Sequence, residues 1–469
     1  MGVRERIVIK NFFSIKDFEW DIKGFNILTG GMASGKSLAL KLLYFCEQVF
    51  QLTVFDATIN KELFQKDNFF KQINEKFNTI FVSRDYESDY HNTEIIYTYE
   101  YYKHQSISPD YQSELQLFDD EILNAKQPEL NMPIINVFDL SATYDDNGKQ
   151  LHWSSKYIDS KIEIWHSFFD EQTTPKFADR IRTRISESII VDFSNSFPLS
   201  AMFIPASRAI AAITSNIKSR DPFINEFLNL KEFALSFNDI GNISNDIVNK
   251  ILLFQDISID DEKDKQPVFK LSDGRSISSL ELSSGQQELL YLLLLIYDLK
   301  RTKFEHSHHA SIFIEEPSAH LFPEEQKCTV EFLVTSFNEL QKRRGNNPGH
   351  RFFISTHSPY VLNTINNLLE KERLLKTVAI INDSVTKKTI REKINELLFP
   401  CLAIDSVSAY MIEENGNVKP MINDDDDEPY IYSEVIDRIS NVITLGTEAL
   451  YDINNQIKNA IRFSEKVNE

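Results

Sequence analysis

An α/β core built around a phosphate-binding loop is the fold class this sequence predicts, and three stretches predict it. The first is Gly30-Gly31-Met32-Ala33-Ser34-Gly35-Lys36-Ser37, set between a short apolar run, Phe25 to Thr29, and an apolar helical pattern that begins at Leu38. The other two are Ser311-Ile312-Phe313-Ile314 and Phe352-Phe353-Ile354-Ser355. These are short continuous apolar runs, as found in the middle of a parallel sheet covered on both faces.

The first stretch has the spacing glycine, four residues, glycine, lysine, serine, and it lies between a strand and a helix. Glycines let the chain curl so that successive N–H groups face phosphate oxygens, and the following helix adds the positive end of its dipole. The pattern implies a bound nucleoside triphosphate, with Gly30, Gly31, Met32, Ala33, Ser34, Gly35 and Leu38 around the phosphates. Lys36 is expected to reach the β- and γ-phosphates, and Ser37 to give its hydroxyl to Mg²⁺. ATP and Mg²⁺ are the expected ligands.

The bulk properties bound the rest. The 469 residues suffice for one large or two to three ordinary domains, and 42% hydrophobic content supplies a full core. The longest apolar run, Leu289 to Tyr297, is about half of what a bilayer requires, so no membrane partner is expected. The N-terminal residues lack a secretory apolar core, and Cys46, Cys328 and Cys401 are too widely spaced for a zinc hook and suit reduced thiols. A cytoplasmic protein is expected. The formal net charge of −20 argues against a surface coated in Lys and Arg for wrapping nucleic acid, although a local basic groove stays open.

Along the chain, Arg6 to Ile9 and Phe12 to Trp20 read as two strands of a small antiparallel sheet beside the main one. The first helix is placed at about 37–52, and the stretch to Asp85 carries no clear pattern. Glu94 to Tyr102 and Lys161 to Trp165 are aromatic and β-branched and read as further strands of that sheet. The polar and aromatic region 105–156 between them reads as partly loop, its aromatic residues as core. Ala201 to Ile204 is a buried strand ended by Pro205. Periodic Phe, Leu and Ile positions from Asp221 to Phe254 suggest a helical arm, followed by an acidic linker, Asp256 to Asp264.

Val268 to Leu271 and Arg275 to Ile277 flank Ser272-Asp273-Gly274 as a hairpin. Leu289 to Lys300 is a buried helix, and His306, His308 and His309 fall in a loop. A second hairpin is expected around Asn415-Gly416, limited to a sheet edge by Pro420. Val435, Ile436, Ile439, Val442, Ile443, Leu450, Ile453 and Ile457 form the stripe of an amphipathic helical tail. The implied division is an N-terminal lobe with the antiparallel subdomain at 1–205, an arm at 206–265, a second lobe at 266–400, and a hairpin with tail at 401–469.

Chemistry enters again at Glu315-Glu316-Pro317, where an apolar strand ends in two carboxylates. Glu315 is expected to hold Mg²⁺ through water and Glu316 to polarise the attacking water. Leu282-Ser283-Ser284-Gly285-Gln286-Gln287-Glu288 starts a long apolar helix and resembles the signature motif of the ABC-type ATPases, with Ser284 in place of a glycine. Ser318-Ala319-His320-Leu321 stands where that family crosses between subunits, and Thr356-His357-Ser358-Pro359 matches its switch-histidine loop. The resemblance implies an ABC-type P-loop ATPase core with an antiparallel β subdomain and an inserted helical arm. It also implies that Ser283, Ser284, Gly285 and Gln286 reach the ATP held by a second copy, and that His357 contacts the γ-phosphate. Departures are Glu315 for the usual Asp, Ser318 for a frequent Glu, and no assigned glutamine loop.

Lys36 and Ser283 are 247 residues apart, far more than in transporter ATPases, and no stretch sustains the heptads of the chromosome-maintenance branch. What remains resembles the compact RecF-like and OLD-like ATPases, in particular the stand-alone ATPase subunits of bacterial anti-phage systems such as PARIS and Septu. That resemblance implies a homo-oligomer, a dimer or an assembly of dimers, that senses a phage trigger and controls a separate toxin or nuclease effector. A RecF-like repair clamp that grips duplex DNA on ATP binding is the alternative, and DNA binding is left open. Arg180, Arg182, Arg184, Arg208, Lys218 and Arg220 are the candidate basic patch.

Overall fold

Continuous apolar runs can be buried on both faces only if something covers each side, and the fold supplies that cover in chain order. The computed structural model describes residues 2–59, 66–81, 90–103, 134–145, 150–160, 198–206, 254–260, 266–271, 274–278, 281–301, 309–342, 350–380, 384–422 and 431. Two strands, β1 (Gly2–Phe12) and β2 (Ile15–Ile22), lead into β3 (Phe25–Gly30), the phosphate loop and helix α1 (Lys36–Ile59). Helix α2 (Lys66–Ile80) follows, then β4 (Glu94–Lys103), β5 (Ile134–Asp145), β6 (Gln150–Ser154), β7 (Pro198–Ile204), β8 (Phe254–Asp260), β9 (Gln266–Leu271) and β10 (Ser276–Ser278). The second half runs α3 (Ser284–Arg301), β11 (His309–Glu315), α4 (Pro323–Lys342), β12 (Arg351–Thr356), α5 (Pro359–Ile380), α6 (Ser384–Glu396), β13 (Val407–Ile412) and β14 (Val418–Pro420).

The central sheet has the order β14-β13-β3-β12-β11-β7. Its inner pairings are all parallel, and only the edge strand β14 is antiparallel. All six residues of β12 are buried. Alternate side chains serve opposite faces: Phe203, Phe313 and Phe353 pack with Leu40, Leu43 and Tyr44 of α1, whereas Ile312, Ile314, Phe352 and Ile354 join Leu289 to Ile296 of α3 and Val330 to Phe337 of α4. The Phe313 and Phe353 rings stack at 4.4 Å between centroids. Each such buried ring is worth about 2 kcal/mol in burial alone.

A second sheet, β2-β1-β4-β5-β6, is antiparallel throughout and turns Ile7, Ile9, Tyr97, Tyr99, Phe138 and Leu140 onto the core that contains α1 and Phe77 of α2. Helix α1 is thus packed between the two sheets, which explains its apolar character on more than one side. A third, three-stranded sheet has the order β10-β9-β8.

The sequence reading and the structure differ in five places. Helix α1 runs to Ile59, beyond position 52, and α2 fills part of the stretch that showed no pattern. Region 105–156, read as partly loop, contributes β5 and β6, whose tyrosine-rich partner β4 completes the pairing. The start of the acidic linker, read as loop, is β8: Ile257 and Ile259 alternate with acids and serine, a period of two that pairing with β9 exploits. The hairpin at Asn415-Gly416 forms as expected with Pro420 on the edge strand, but β13 also pairs in parallel with β3, so the hairpin completes the central sheet. His309, read as loop with the other two histidines, instead begins β11 and pairs with Pro198 of β7, because the strand extends back from the apolar run that follows it. The expected strand at 161–165, the arm at 221–253, the tail at 433–463, His306, His308 and the six basic-patch residues lie outside the described residues.

Candidate functional site: the carboxyl edge of the central sheet

Parallel register fixes where the candidate residues meet. Thr29 of β3 stands opposite Thr356 of β12, and Ser355 of β12 opposite Glu315 of β11. The loops leaving these three strands therefore emerge side by side at the carboxyl edge, where open α/β sheets bind their ligands. They carry Gly30 to Ser37, Glu315 with Glu316, and His357.

The phosphate loop is shaped by close packing. Gly30 has φ +148, and a Cβ there would overlap the backbone carbonyl of Ile412, its pairing partner on β13. Ala33 takes a left-handed φ of 58, and α1 opens with the Ala39 N–H donating to the Gly35 carbonyl at 2.9 Å. The β1–β2 turn supports the loop from outside, with the Ser14 hydroxyl 3.4 Å from the Ser34 carbonyl. Lys36 is buried, and its ammonium donates to the Gly30 and Gly31 carbonyls at 3.0 and 2.8 Å. Burial pushes this ammonium below its usual range, while the nearby Glu316 charge pulls the other way. The cation is thus folded onto its own loop, held by weak carbonyl acceptors that phosphate oxygens can replace. The buried Ser34 hydroxyl has no hydrogen-bond partner among the described residues, which suits a loop that receives an oxyanion.

Glu315 is 5% exposed and accepts a hydrogen bond from the Ala206 N–H at 3.1 Å, just past the end of β7. Glu316 lies beyond the strand in a left-handed conformation, φ 44, with its N–H donating to the Ser355 carbonyl at 2.9 Å. Such a backbone costs on the order of 1 kcal/mol for a residue with a side chain, and strain of this kind collects at functional sites. It turns the Glu316 carboxylate toward His357: Oε2 is 2.9 Å from Nδ1 and accepts the His357 N–H at 3.3 Å. Lys36, Glu316 and His357 are therefore brought together from three separate strand ends. The hydroxyl of Ser37 and the carboxylate of Glu315 are hard oxygen donors, the type that Mg²⁺ takes.

The signature stretch lies elsewhere. Ser283 caps α3: its hydroxyl accepts the Gln286 N–H at 3.3 Å, and Gln286 Oε1 accepts the Ser283 N–H at 3.1 Å. Ser283 and Ser284 are exposed, and Gly285 is buried against His320 and Leu321, where a Cβ would come 2.7 Å from the His320 carbonyl. The structure thus places Gly285 on the loop after β11 and not in the Lys36–Glu316–His357 group.

Sequence reasoning missed Ser14 and Ile412, which border the phosphate loop. It also missed the Lys16 N–H donating to the Gly416 carbonyl at 2.9 Å, which ties the second hairpin to the β1–β2 turn. The Asn415-Gly416 turn signal was legible, but nothing local says what a turn touches. Among the described residues no group of His, Cys, Asp and Glu is arranged to hold a metal ion by itself, and no helix is long and apolar enough to cross a membrane.

A parallel α/β sheet with a glycine-lysine-serine loop before α1 and paired carboxylates two strands away defines a P-loop nucleotide-binding fold. The chain belongs to the AAA_15 family, described as AAA ATPase domain, whose model matches residues 5–362. Among solved structures it is similar to the SMC head domain from Thermotoga maritima, with a TM-score of 0.33, 12% identity, and coverage of 78% of this chain and 92% of that one. An SMC head bound to the C-terminal winged-helix domain of ScpA is similar to the same degree, TM-score 0.33 and 12% identity, covering 77% of this chain and 91% of that chain. A search of curated proteins finds no match.

Proposed function

We propose that the chain binds and slowly hydrolyses ATP between two copies of itself, and uses the resulting assembly to hold a separate effector in bacterial anti-phage defence. The observation that carries the ATPase reading is the Glu316–His357 contact of 2.9 Å beside the loop that buries Lys36. Lys36 carries the only side-chain cation of the Gly30 to Ser37 loop and balances phosphate charge. Glu316 accepts the proton of the attacking water, and His357 holds that carboxylate in place and senses the γ-phosphate. Ser37 and Glu315 would hold Mg²⁺, which supplies charge neutralisation on the β- and γ-phosphates when bound. The exposed Ser283 and Ser284 face outward at a helix start, where they can serve the ATP of a second copy.

The defence role rests on resemblance: Ile204 to Arg208, Glu315 to Pro323 and Thr356 to Asn363 look like the compact RecF-like and OLD-like ATPases, in particular the ATPase subunits of anti-phage systems, and the look of the N-terminal segment points to PARIS first and Septu next. The effector would be a separate toxin or nuclease polypeptide, and the trigger a phage protein. Net charge of −20 favours a protein partner over generic DNA binding.

The test uses Glu316→Gln protein with ATP and Mg²⁺, its mass in solution and its binding to duplex DNA over a salt series. A stable oligomer of the chain without appreciable DNA affinity is the expected result. Tight, ATP-dependent DNA binding that weakens steeply with salt would replace this reading with the repair clamp.

A further inference from the structure

Two loops of the candidate site are stitched together by a side chain that belongs to neither. Helix α4 starts after the exposed Phe322, with Pro323 in its first turn and the Gln326 N–H donating to the Phe322 carbonyl at 2.9 Å. That turn projects the Gln326 amide between the loop after β11 and the loop after β12. Its Nε2 donates to the Leu321 carbonyl at 2.8 Å, and its Oε1 accepts the Ser358 hydroxyl at 2.5 Å. Ser358 is buried and next to His357, with its N–H donating to the Thr356 hydroxyl at 3.0 Å and its own hydroxyl facing the Val361 N–H at 3.4 Å.

The other end of the connection reaches the signature helix. Gly285 packs on the His320 carbonyl so closely that no side chain fits, and His320 holds a left-handed φ of 59 with its Nε2 3.8 Å from Glu288 of α3. The Ala319 N–H donates to the Glu316 carbonyl at 3.1 Å, so the loop that carries His320 springs from Glu316 itself. Hydrogen bonds and close packing therefore run without a gap from Gly285 through His320, Leu321, Gln326 and Ser358 to His357 and Glu316.

We propose that Gln326 is a positioning residue that keeps the His357 loop in register with the loop 317–321, and through it with the start of the signature helix. The inference rests on the two-copy ATPase reading above and deepens it. His357 and Glu316 serve the ATP of their own chain while Ser283 and Ser284 serve the partner's, so one amide joins the two sites of the assembly. A primary amide suits the task because it donates to a carbonyl and accepts from a hydroxyl at once. Neither methionine nor glutamate at this position can do both.

The decisive experiment is steady-state hydrolysis and nucleotide binding by the full chain carrying Gln326→Met, Ser358→Ala, or both. Breaking this connection by either substitution is expected to lower kcat about tenfold with KM and ATP affinity unchanged, because the change disturbs the reacting geometry and leaves the phosphate loop intact. The double variant is expected to be no slower than Gln326→Met, since both changes cut the same connection. Unchanged kcat, a rise in KM alone, or additive losses would overturn the proposal.

Amide hydrogen exchange separates it from the ATPase reading. Ser358→Ala is expected to speed exchange at 317–322, which the Ser358 side chain reaches, among the described residues, through Gln326. If the wild-type chain shows no turnover, the proposed ATPase function fails, and unchanged exchange at 317–322 would then defeat the Gln326 connection as well. Should Gln326→Met not fold, Ser358→Ala alone decides both readouts.

Discussion

Arg351, the first residue of β12, donates to the Glu47 carboxylate of α1 at 2.8 Å in a site closed to water, and it also pairs with Glu5 of β1. The guanidinium donates further to the Ser311 hydroxyl at 2.9 and 3.1 Å, and Tyr97 donates to the other oxygen of Glu5 at 2.7 Å. One cation thus joins the antiparallel sheet, the helix that follows the phosphate loop, and two strands of the central sheet. Removing it would leave two buried carboxylates facing each other. Arg351→Met is expected to destabilise the protein by about 3 kcal/mol, as in other buried pairs stripped of one partner, read as a lower midpoint of chemical unfolding. Replacing all three charged residues with apolar ones of similar volume should recover most of that loss.

The same cluster gives stability a pH dependence. Burial pushes the Glu47 carboxyl well above its usual 4.5, and a hydrogen bond from Ser311 opposes the shift without cancelling it. With the folded pKa raised, the folded chain binds more protons than the unfolded one above pH 4.5, so this contribution to stability falls as pH rises through that window. Unfolding midpoints measured from pH 5 upward should decline in the wild type, and Glu47→Gln should remove that component. An equal decline in the variant would show that the Glu47 carboxyl is not the group responsible.

Lys36→Ala separates binding from folding. Among the described residues the ammonium donates to the carbonyls of Gly30 and Gly31 alone, so its loss should leave the unfolding midpoint nearly unchanged. A charge-assisted contact to phosphate is worth about 1.5–3 kcal/mol, which predicts about a 10- to 100-fold loss of ATP affinity by calorimetry. A variant that binds ATP normally would remove Lys36 from the site.

These contrasts show which features the sequence made legible. The phosphate loop, β11 and β12 could be read because their signals are local: fixed spacing in one case, unbroken apolar runs in the others. Glu316 and His357 could be read as members of one site, but their contact depends on a left-handed residue after β11 that no spacing announces. Strand β13 was legible as half of a hairpin and illegible as the neighbour of β3, because Ile412 and Gly30 pair across most of the chain. Arg351 was hidden for the same reason. A charged residue at the head of an apolar run looks like a strand boundary until Glu5 and Glu47 are seen to close round it.

The glycine pair at the head of the phosphate loop offers a prediction that the motif alone cannot make. By spacing, Gly30 is the motif glycine and Gly31 a variable position, and the structure supplies the reason. A Cβ on Gly31 would meet nothing within 4 Å, whereas one on Gly30 would collide with the Ile412 carbonyl and approach the Ser34 hydroxyl at 2.8 Å. Gly30 also needs its φ of +148, which a side chain opposes. Gly31→Ala should therefore stay within about 0.5 kcal/mol of wild type in stability, the range of ordinary surface substitutions. Gly30→Ala should cost about 1–3 kcal/mol through clash and strain. Because the obstacle is the backbone of β13, the alanine can be accommodated only by moving the loop or the end of that strand. ATP affinity should fall in parallel with stability for Gly30→Ala, and remain within a few-fold of wild type for Gly31→Ala. Equal behaviour of the two variants would mean that β13 does not press on the loop, and that the second hairpin has no part in shaping the site.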